Sequence, residues 1–221
     1  AQALEIAHKG QIVAFDKTGT LTAGQPRLVE AVALVGGREA LLSLAAALQA
    51  GSEHPLARAV LREATPVAAA TDTHALPGRG LAGRVDGSQA WLGNQALMQE
   101  INADIGALGV RAKELEAHGH TLSWVASQHG DSIQVQGLLA FRDEARTGAR
   151  EAIARLHALG IQTVMISGDN EGAARSIADS LGIDEVHANV RPEQKVDAIR
   201  ALKQQGVVAM VGDGINDAPA L

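Results

Sequence analysis

Ile161-Gln162-Thr163-Val164-Met165-Ile166, followed at once by Ser167-Gly168-Asp169-Asn170, is the stretch that decides the fold. A short apolar run that ends in a small, polar, glycine-containing loop reads as a buried strand and its exit. Gly172–Leu181 then has helical texture, and a second cycle follows. A short strand is expected near Glu185–His187, a helix over Pro192–Gln205 and a strand over Val207–Val211, before Gly212-Asp213-Gly214-Ile215-Asn216-Asp217. A helix over Ala145–Leu159 leads into the first of these strands. Strand and helix alternating at this spacing imply an α/β fold with a doubly wound parallel sheet.

Far upstream, Ile12-Val13-Ala14-Phe15 runs into Asp16-Lys17-Thr18-Gly19-Thr20 with the same signature. The texture between is different. Arg38–Ala50 is a Leu/Ala-rich helix, and a second helix starts near Pro55, a residue suited to a first turn. Leu81–Val85, Gln89–Leu92, Thr121–Ala126 and Ile133–Leu138 are short strands joined by glycine-containing turns, with a helix over Val110–Ala117 between them. The expected organisation is one α/β domain from residues 1–26 and 141–221, split by an inserted α+β domain with an antiparallel sheet at 27–140.

Composition narrows the function classes. Of 221 residues, 46% are hydrophobic and 20% charged, enough apolar material for real cores and too much for a disordered chain. Net charge is −6 and aromatics are 2%, which argues against nucleic acid as a partner. There is no cysteine, which excludes disulfides and zinc–thiolate sites in this chain and fits a reducing compartment. No run approaches the ~18 apolar residues of a membrane span, and no signal peptide is present. The absence of an initiator Met and the stop at Ala220-Leu221 read as a piece of a longer protein.

In doubly wound sheets ligands bind beyond the carboxyl ends of the strands. Three polar clusters sit at such ends: Asp16–Thr20, Ser167–Asn170 and Asp213–Asp217. Together they offer carboxylates (Asp16, Asp213, Asp217), hydroxyls (Thr18, Ser167), glycines and cations (Lys17, and Lys195 at a helix start). That chemistry suits Mg²⁺ and phosphate. One of the carboxylates is placed to attack phosphorus and form an aspartyl-phosphate.

Asp16-Lys17-Thr18-Gly19-Thr20-Leu21-Thr22 resembles the phosphorylation signature of P-type ATPases, and Gly212 through Leu221 resembles their distal magnesium signature. The resemblance implies a haloacid-dehalogenase-like phosphorylation domain in which Asp16 is the nucleophile. Lys17, Thr18, Lys195 and Asp217 would be the other catalytic residues. Thr18, Ser167, Gly168 and Asn216 would contact phosphate, and Asp16, Asp213 and the Thr18 carbonyl would hold Mg²⁺. Asp143 and Arg146 resemble the hinge pair where the chain returns. For Asp169-Asn170, helix capping is an equally good reading.

The insertion resembles the nucleotide-binding domain of the heavy-metal subclass, through Ser52-Glu53-His54-Pro55-Leu56. A lone histidine at a helix start is more often structural. In this string the resemblance implies that Glu53 and His54, with Gly78, Gly80, Gly93 and Asn94, bind ATP. Gln49 stands where the subclass usually has glutamate; its carbonyl can still accept from an adenine amino group. His118 and His120 read as turn residues, not as a metal site.

The whole then resembles the ATP-binding and phosphorylation portion of a copper-type pump at a bacterial inner membrane. Its cofactors are Mg²⁺ and ATP, and Cu(I) export is the implied transport. Its partners would be membrane helices, an actuator domain and a metallochaperone, with this portion cytoplasmic. The rival enzyme is a soluble haloacid-dehalogenase-class phosphatase, which usually has a second Asp where Thr18 stands. The rival from another class is a non-catalytic nucleotide-binding module.

Overall fold

The computed structural model describes residues 10–212. They form two compact units, residues 10–24 with 143–212, and residues 25–142. The second unit is wider than the expected 27–140 because Gln25 and Pro26 join it and its last strand runs through Phe141 to Arg142.

The first unit carries β1 (Gly10–Asp16) and, from the C-terminal part, α5 (Ala149–Ala158), β8 (Gln162–Ile166), α6 (Glu171–Leu181), β9 (Glu185–His187), α7 (Pro192–Gln205) and β10 (Gly206–Val211). The strands make a parallel sheet in the order β10-β1-β8-β9. Val164, Met165 and Ile166 are fully buried in succession, as expected for a strand covered on both faces. One face packs Phe15 and Met165 against Ile153 of α5 and Ala174, Ala178 and Leu181 of α6. The other packs Ile12, Ala14, Val164 and Ile166 against Ile199 and Leu202 of α7.

The helix expected from Ala145 starts at Ala149. Ala145 instead pairs with Thr22, Ala23 N–H donates to the Glu144 carbonyl, and Gly148 takes a left-handed conformation before the first turn. The outgoing and returning chain segments are thus laced side by side. Asp143 Oδ2 accepts from Gly24 N–H, and Arg146 donates to the carbonyls of Thr22 (3.1 Å) and Gly19 (2.6 Å).

The second unit is a six-stranded antiparallel sheet with helices on both faces. Its strands are β2 (Arg27–Ala33), β3 (Thr71–Leu76), β4 (Gly80–Val85), β5 (Ser88–Gly93), β6 (Thr121–His129) and β7 (Ser132–Arg142), in the order β2-β7-β6-β5-β4-β3. On one face, Leu41, Leu42, Ala45, Ala46 and Leu48 of α1 (Gly37–Gln49) and Ala59 and Val60 of α2 (Pro55–Glu63) meet Leu92, Val125, Leu139 and Phe141. On the other, Leu97 and Met98 of α3 (Gln95–Glu100) and Ala112 and Leu115 of α4 (Gly109–Ala117) meet Trp124, Ala126 and Leu138. Alanine-rich faces let α1 and α2 sit close to the sheet, which suits a chain poor in aromatics.

Candidate active site

The first constellation is built at the carboxyl ends of β1 and β8, whose last residues Asp16 and Ile166 are lateral neighbours. After Asp16 the chain reverses. Thr18 (φ −76°, ψ 126°) and Gly19 (φ 75°, ψ −11°) have the angles of a type II turn, whose second central position favours glycine. Thr22, wholly buried, closes the loop: its N–H donates to the Lys17 carbonyl at 3.1 Å and its Oγ1 lies 3.4 Å from the same oxygen. The loop therefore has fixed geometry, with Thr18 exposed at its tip and the Thr20 hydroxyl buried without a partner among the described residues.

The opposing wall comes from β8 and α7. Ser167 is buried, and its Oγ accepts from Asp169 N–H at 3.1 Å, leaving its own O–H to donate. The segment after β9 is tied alongside: Ser167 N–H to the His187 carbonyl, Val190 N–H to the Ser167 carbonyl, and Asn189 N–H to the Asp169 carbonyl. This lacing sets the start of α7, where Pro192 occupies the first turn and Gln194 Oε1 accepts from Arg191 N–H. One residue further on, Lys195 Nζ lies 3.0 Å from Asp16 Oδ1, with both side chains about 90% buried. A second buried pair joins Lys17 Nζ to Asp169 Oδ2 at 2.8 Å. Of Asp169 and Asn170, only Asn170 caps α6, accepting from Ala173 N–H.

Asp16, Lys17, Thr18, Ser167, Gly168 and Lys195 thus belong to adjoining strand ends and loops of one unit. Asp213, Asn216 and Asp217 lie outside the described residues. The Lys17–Asp169 pair was missed from sequence, because two residues 152 positions apart leave no local signal.

The second constellation lies in the antiparallel unit. His54 caps α2: Nδ1 accepts from Leu56 N–H at 3.2 Å, which puts the ring proton of the neutral form on Nε2. Desolvation lowers its pKa below the ordinary 6.5. Glu53 is exposed beside it.

Gly78, Gly80, Gly93 and Asn94 meet at the start of β4 and the end of β5. Gly80 pairs with Gly93, and a Cβ would lie 2.1 Å from the Leu92 oxygen at Gly80 and 2.1 Å from the Arg79 oxygen at Gly93, so both glycines are required by the close approach of the two segments. Asn94 does two jobs: Oδ1 caps α3 by accepting from Leu97 N–H at 3.1 Å, and Nδ2 donates to the Gly78 carbonyl at 2.9 Å. Arg79, between the glycines, pairs with Glu100 of α3, a contact the sequence did not reveal.

Gln49, the last residue of α1, is 3% exposed, and its Oε1 is buried with no hydrogen-bond partner among the described residues. His118 and His120 turn Nδ1 toward the carbonyls of Glu114 and Leu115 and so finish the end of α4. Among the described residues there is no group of three or more His, Cys, Asp or Glu able to hold a metal.

A haloacid dehalogenase-like hydrolase model matches residues 11–221. The chain belongs to that family. It is 42% identical over 228 residues to a copper-transporting P-type ATPase of Rhizobium leguminosarum bv. viciae, covering all of this chain and 26% of that protein. A silver exporting P-type ATPase of Salmonella typhimurium is 40% identical over 227 residues, again with all of this chain and 27% of the relative. The chain therefore spans about a quarter of the length of these curated relatives.

Among solved structures, the catalytic domain of the CPx-ATPase CopB-B, described for its changes upon nucleotide binding, aligns with a TM-score of 0.72 at 25% identity, over 100% of this chain and 78% of that one. A zinc-transporting PIB-type ATPase in its E2.Pi state aligns with a TM-score of 0.57 at 40% identity, over 99% and 35%. Among the described residues no helix is long and apolar enough to cross a membrane.

Proposed function

We propose that this chain is the ATP-binding and phosphorylation unit of a heavy-metal-transporting P-type ATPase, with copper(I) as cargo, and that Asp16 accepts the γ-phosphoryl group of Mg·ATP. The observation that carries the reading is the buried Asp16–Lys195 pair at the end of β1, whose lateral neighbour in β8, Ile166, is followed by Ser167. Asp16 supplies an oxygen nucleophile. The Lys195 ammonium balances the charge of an incoming phosphoryl group as a point charge, and Ser167 O–H and Gly168 N–H are donors for its oxygens. ADP is a good leaving group, so Thr18 in place of a second Asp costs this half-reaction little.

Mg²⁺ takes oxygen ligands and retains water and phosphate. The Asp16 carboxylate and the Thr18 carbonyl are oxygen donors of that class, with Asp213 outside the described residues. Bound there, the ion would offset charge on the transferring group. The antiparallel unit, residues 25–142, is the ATP-binding part of this reading, through His54 Nε2–H, the Gly78–Gly80 turn, Gly93, Asn94, Glu53 and Gln49.

Cargo and setting rest on the named relatives, which transport copper, silver and zinc. In the whole protein the phosphorylated unit would act on membrane helices and an actuator domain, from the cytoplasmic side, with a metallochaperone delivering the ion. The test is acid-quenched labelling with γ-phosphate-tagged ATP. A Mg²⁺-dependent, hydroxylamine-sensitive label on Asp16 is expected; ATP binding with no label, under conditions that label a full-length relative, would leave a nucleotide-binding module.

A further inference from the structure

Two lysines and two aspartates lie at the neighbouring ends of β1, β8 and α7, and they are sorted into pairs: Lys195 with Asp16 at 3.0 Å, and Lys17 with Asp169 at 2.8 Å. Asp169 is held for this purpose. Its N–H donates to Ser167 Oγ, its carbonyl accepts from Asn189 N–H, and its Oδ1 accepts from Asn170 N–H, which leaves Oδ2 aimed at Lys17. It does not cap α6, since Asn170 does. On the other side the Lys17 backbone is fixed through its carbonyl by Thr22, so only the side chain has a choice of partner.

We propose that Asp169 is a positioning residue for phosphoryl transfer to Asp16. It holds the Lys17 ammonium away from the Asp16 carboxylate and so reserves Lys195 as the cation at the nucleophile. The proposal rests on the reading of Asp16 as phosphate acceptor. The reasoning is electrostatic. Lys17 follows Asp16 in the chain, and both lysine side chains are about nine-tenths buried. A buried ammonium that loses its carboxylate is strongly unfavourable and takes another if one is in reach. A second cation on Asp16 would tie up the oxygen that must attack phosphorus. Conversely, removing Lys17 alone takes away the cation that Asp169 Oδ2 meets and adds net negative charge where a polyanionic substrate must bind. The pair therefore works by cancelling itself, and Lys17 is not the ammonium that meets the transferring group.

The test is single-turnover labelling by γ-phosphate-tagged ATP of the wild-type chain, Lys17→Gln, Asp169→Asn and the double variant, each shown to be folded at the assay temperature by circular dichroism. Each single change should slow labelling by about tenfold or more with the ATP KM within about twofold of wild type, the scale of a misplaced charge in a preorganised site. The double variant, which removes both charges, should recover to within about threefold of wild type. A fold-supporting role alone would not split rate from KM in this way. A double variant as slow as Lys17→Gln, with Asp169→Asn nearly normal, would mean that Lys17 itself contacts the phosphoryl group and would overturn the proposal. So would single variants at the wild-type rate, or losses that appear in KM. A wild-type chain that takes up no label would instead remove the phosphorylation reading on which the proposal stands.

Discussion

Replacing Gln49 with leucine should weaken ATP binding and leave the free protein no less stable. Gln49 is 3% exposed at the end of α1, and its Oε1 has no donor among the described residues. A buried acceptor left without a donor costs about 1–3 kcal/mol relative to a satisfied one. Leucine is of similar size and helix propensity and brings no such group, so the nucleotide-free stability should be unchanged or higher by up to about 2 kcal/mol. If the adenine amino group donates to Oε1, the same change removes one neutral hydrogen bond, about 0.5–1.5 kcal/mol, or about two- to twelvefold in Kd. Gln49→Glu should bind ATP as well or better, because a carboxylate accepts more strongly, at a cost in stability when no nucleotide offsets the buried charge. Calorimetric titration gives the affinities and thermal unfolding the stabilities. Purine riboside triphosphate, which lacks the amino group, is the control: wild type should prefer ATP over it, and Gln49→Leu should not discriminate. Leucine binding ATP as wild type does, or losing affinity for both nucleotides equally, would refute the assignment.

Asp16→Asn should abolish the acid-stable label while ATP affinity measured by calorimetry stays unchanged, since an amide is a far poorer nucleophile; a label that survives the change overturns the mechanism. Asn94→Ala should lose both the α3 cap and the hold on the Gly78 carbonyl, about 1–2 kcal/mol by urea unfolding, whereas Asn94→Asp should keep the cap and lose only the second part. His54 has a lowered folded pKa, so between 6.5 and that lower value the unfolded chain binds the extra proton and the folded chain does not. Stability should therefore be full above pH 6.5 and decline as pH falls through that window, and His54→Asn, which caps without titrating, should flatten this part of the profile in thermal unfolding.

Legibility in the sequence followed burial. β1 and β8 are buried on both faces and read as apolar runs, and the hairpin β6–β7 reads from its turn. β3, Thr71-Asp72-Thr73-His74-Ala75-Leu76, is an edge strand exposed along most of its length, so it has no apolar period to find; its pairing comes from β4. β2 forms the other edge and is only partly buried, and α3 has six residues, too few to show a helical period. The early start given to α5 came from good local propensity at Ala145, which lost to the pairing of Ala145 with Thr22 and the Arg146 clamp on Gly19 and Thr22. Within the site, the places of Asp16 and Lys195 were legible because Asp16 ends an apolar run that reads as a strand and Lys195 opens a helix behind Pro192. What each lysine pairs with was not, because partner choice is decided by the packing of distant loops.

The antiparallel unit adds a constraint on how its chemistry can be tested. The residues that resemble a nucleotide site are also structural: His54 Nδ1 caps α2, Gly80 and Gly93 allow β4 and β5 to approach, and Asn94 both caps α3 and fixes the Gly78 turn. A truncation at any of them perturbs the fold and the ligand contact together, and a fall in ATP affinity alone cannot apportion the loss. The informative replacements keep the structural bond and remove the other function, as His54→Asn and Asn94→Asp do. Gln49 differs from all of these. Its side-chain Oε1 is buried with no hydrogen-bond partner among the described residues, so a change there removes no hydrogen bond of the described fold and reports more directly on ligand chemistry.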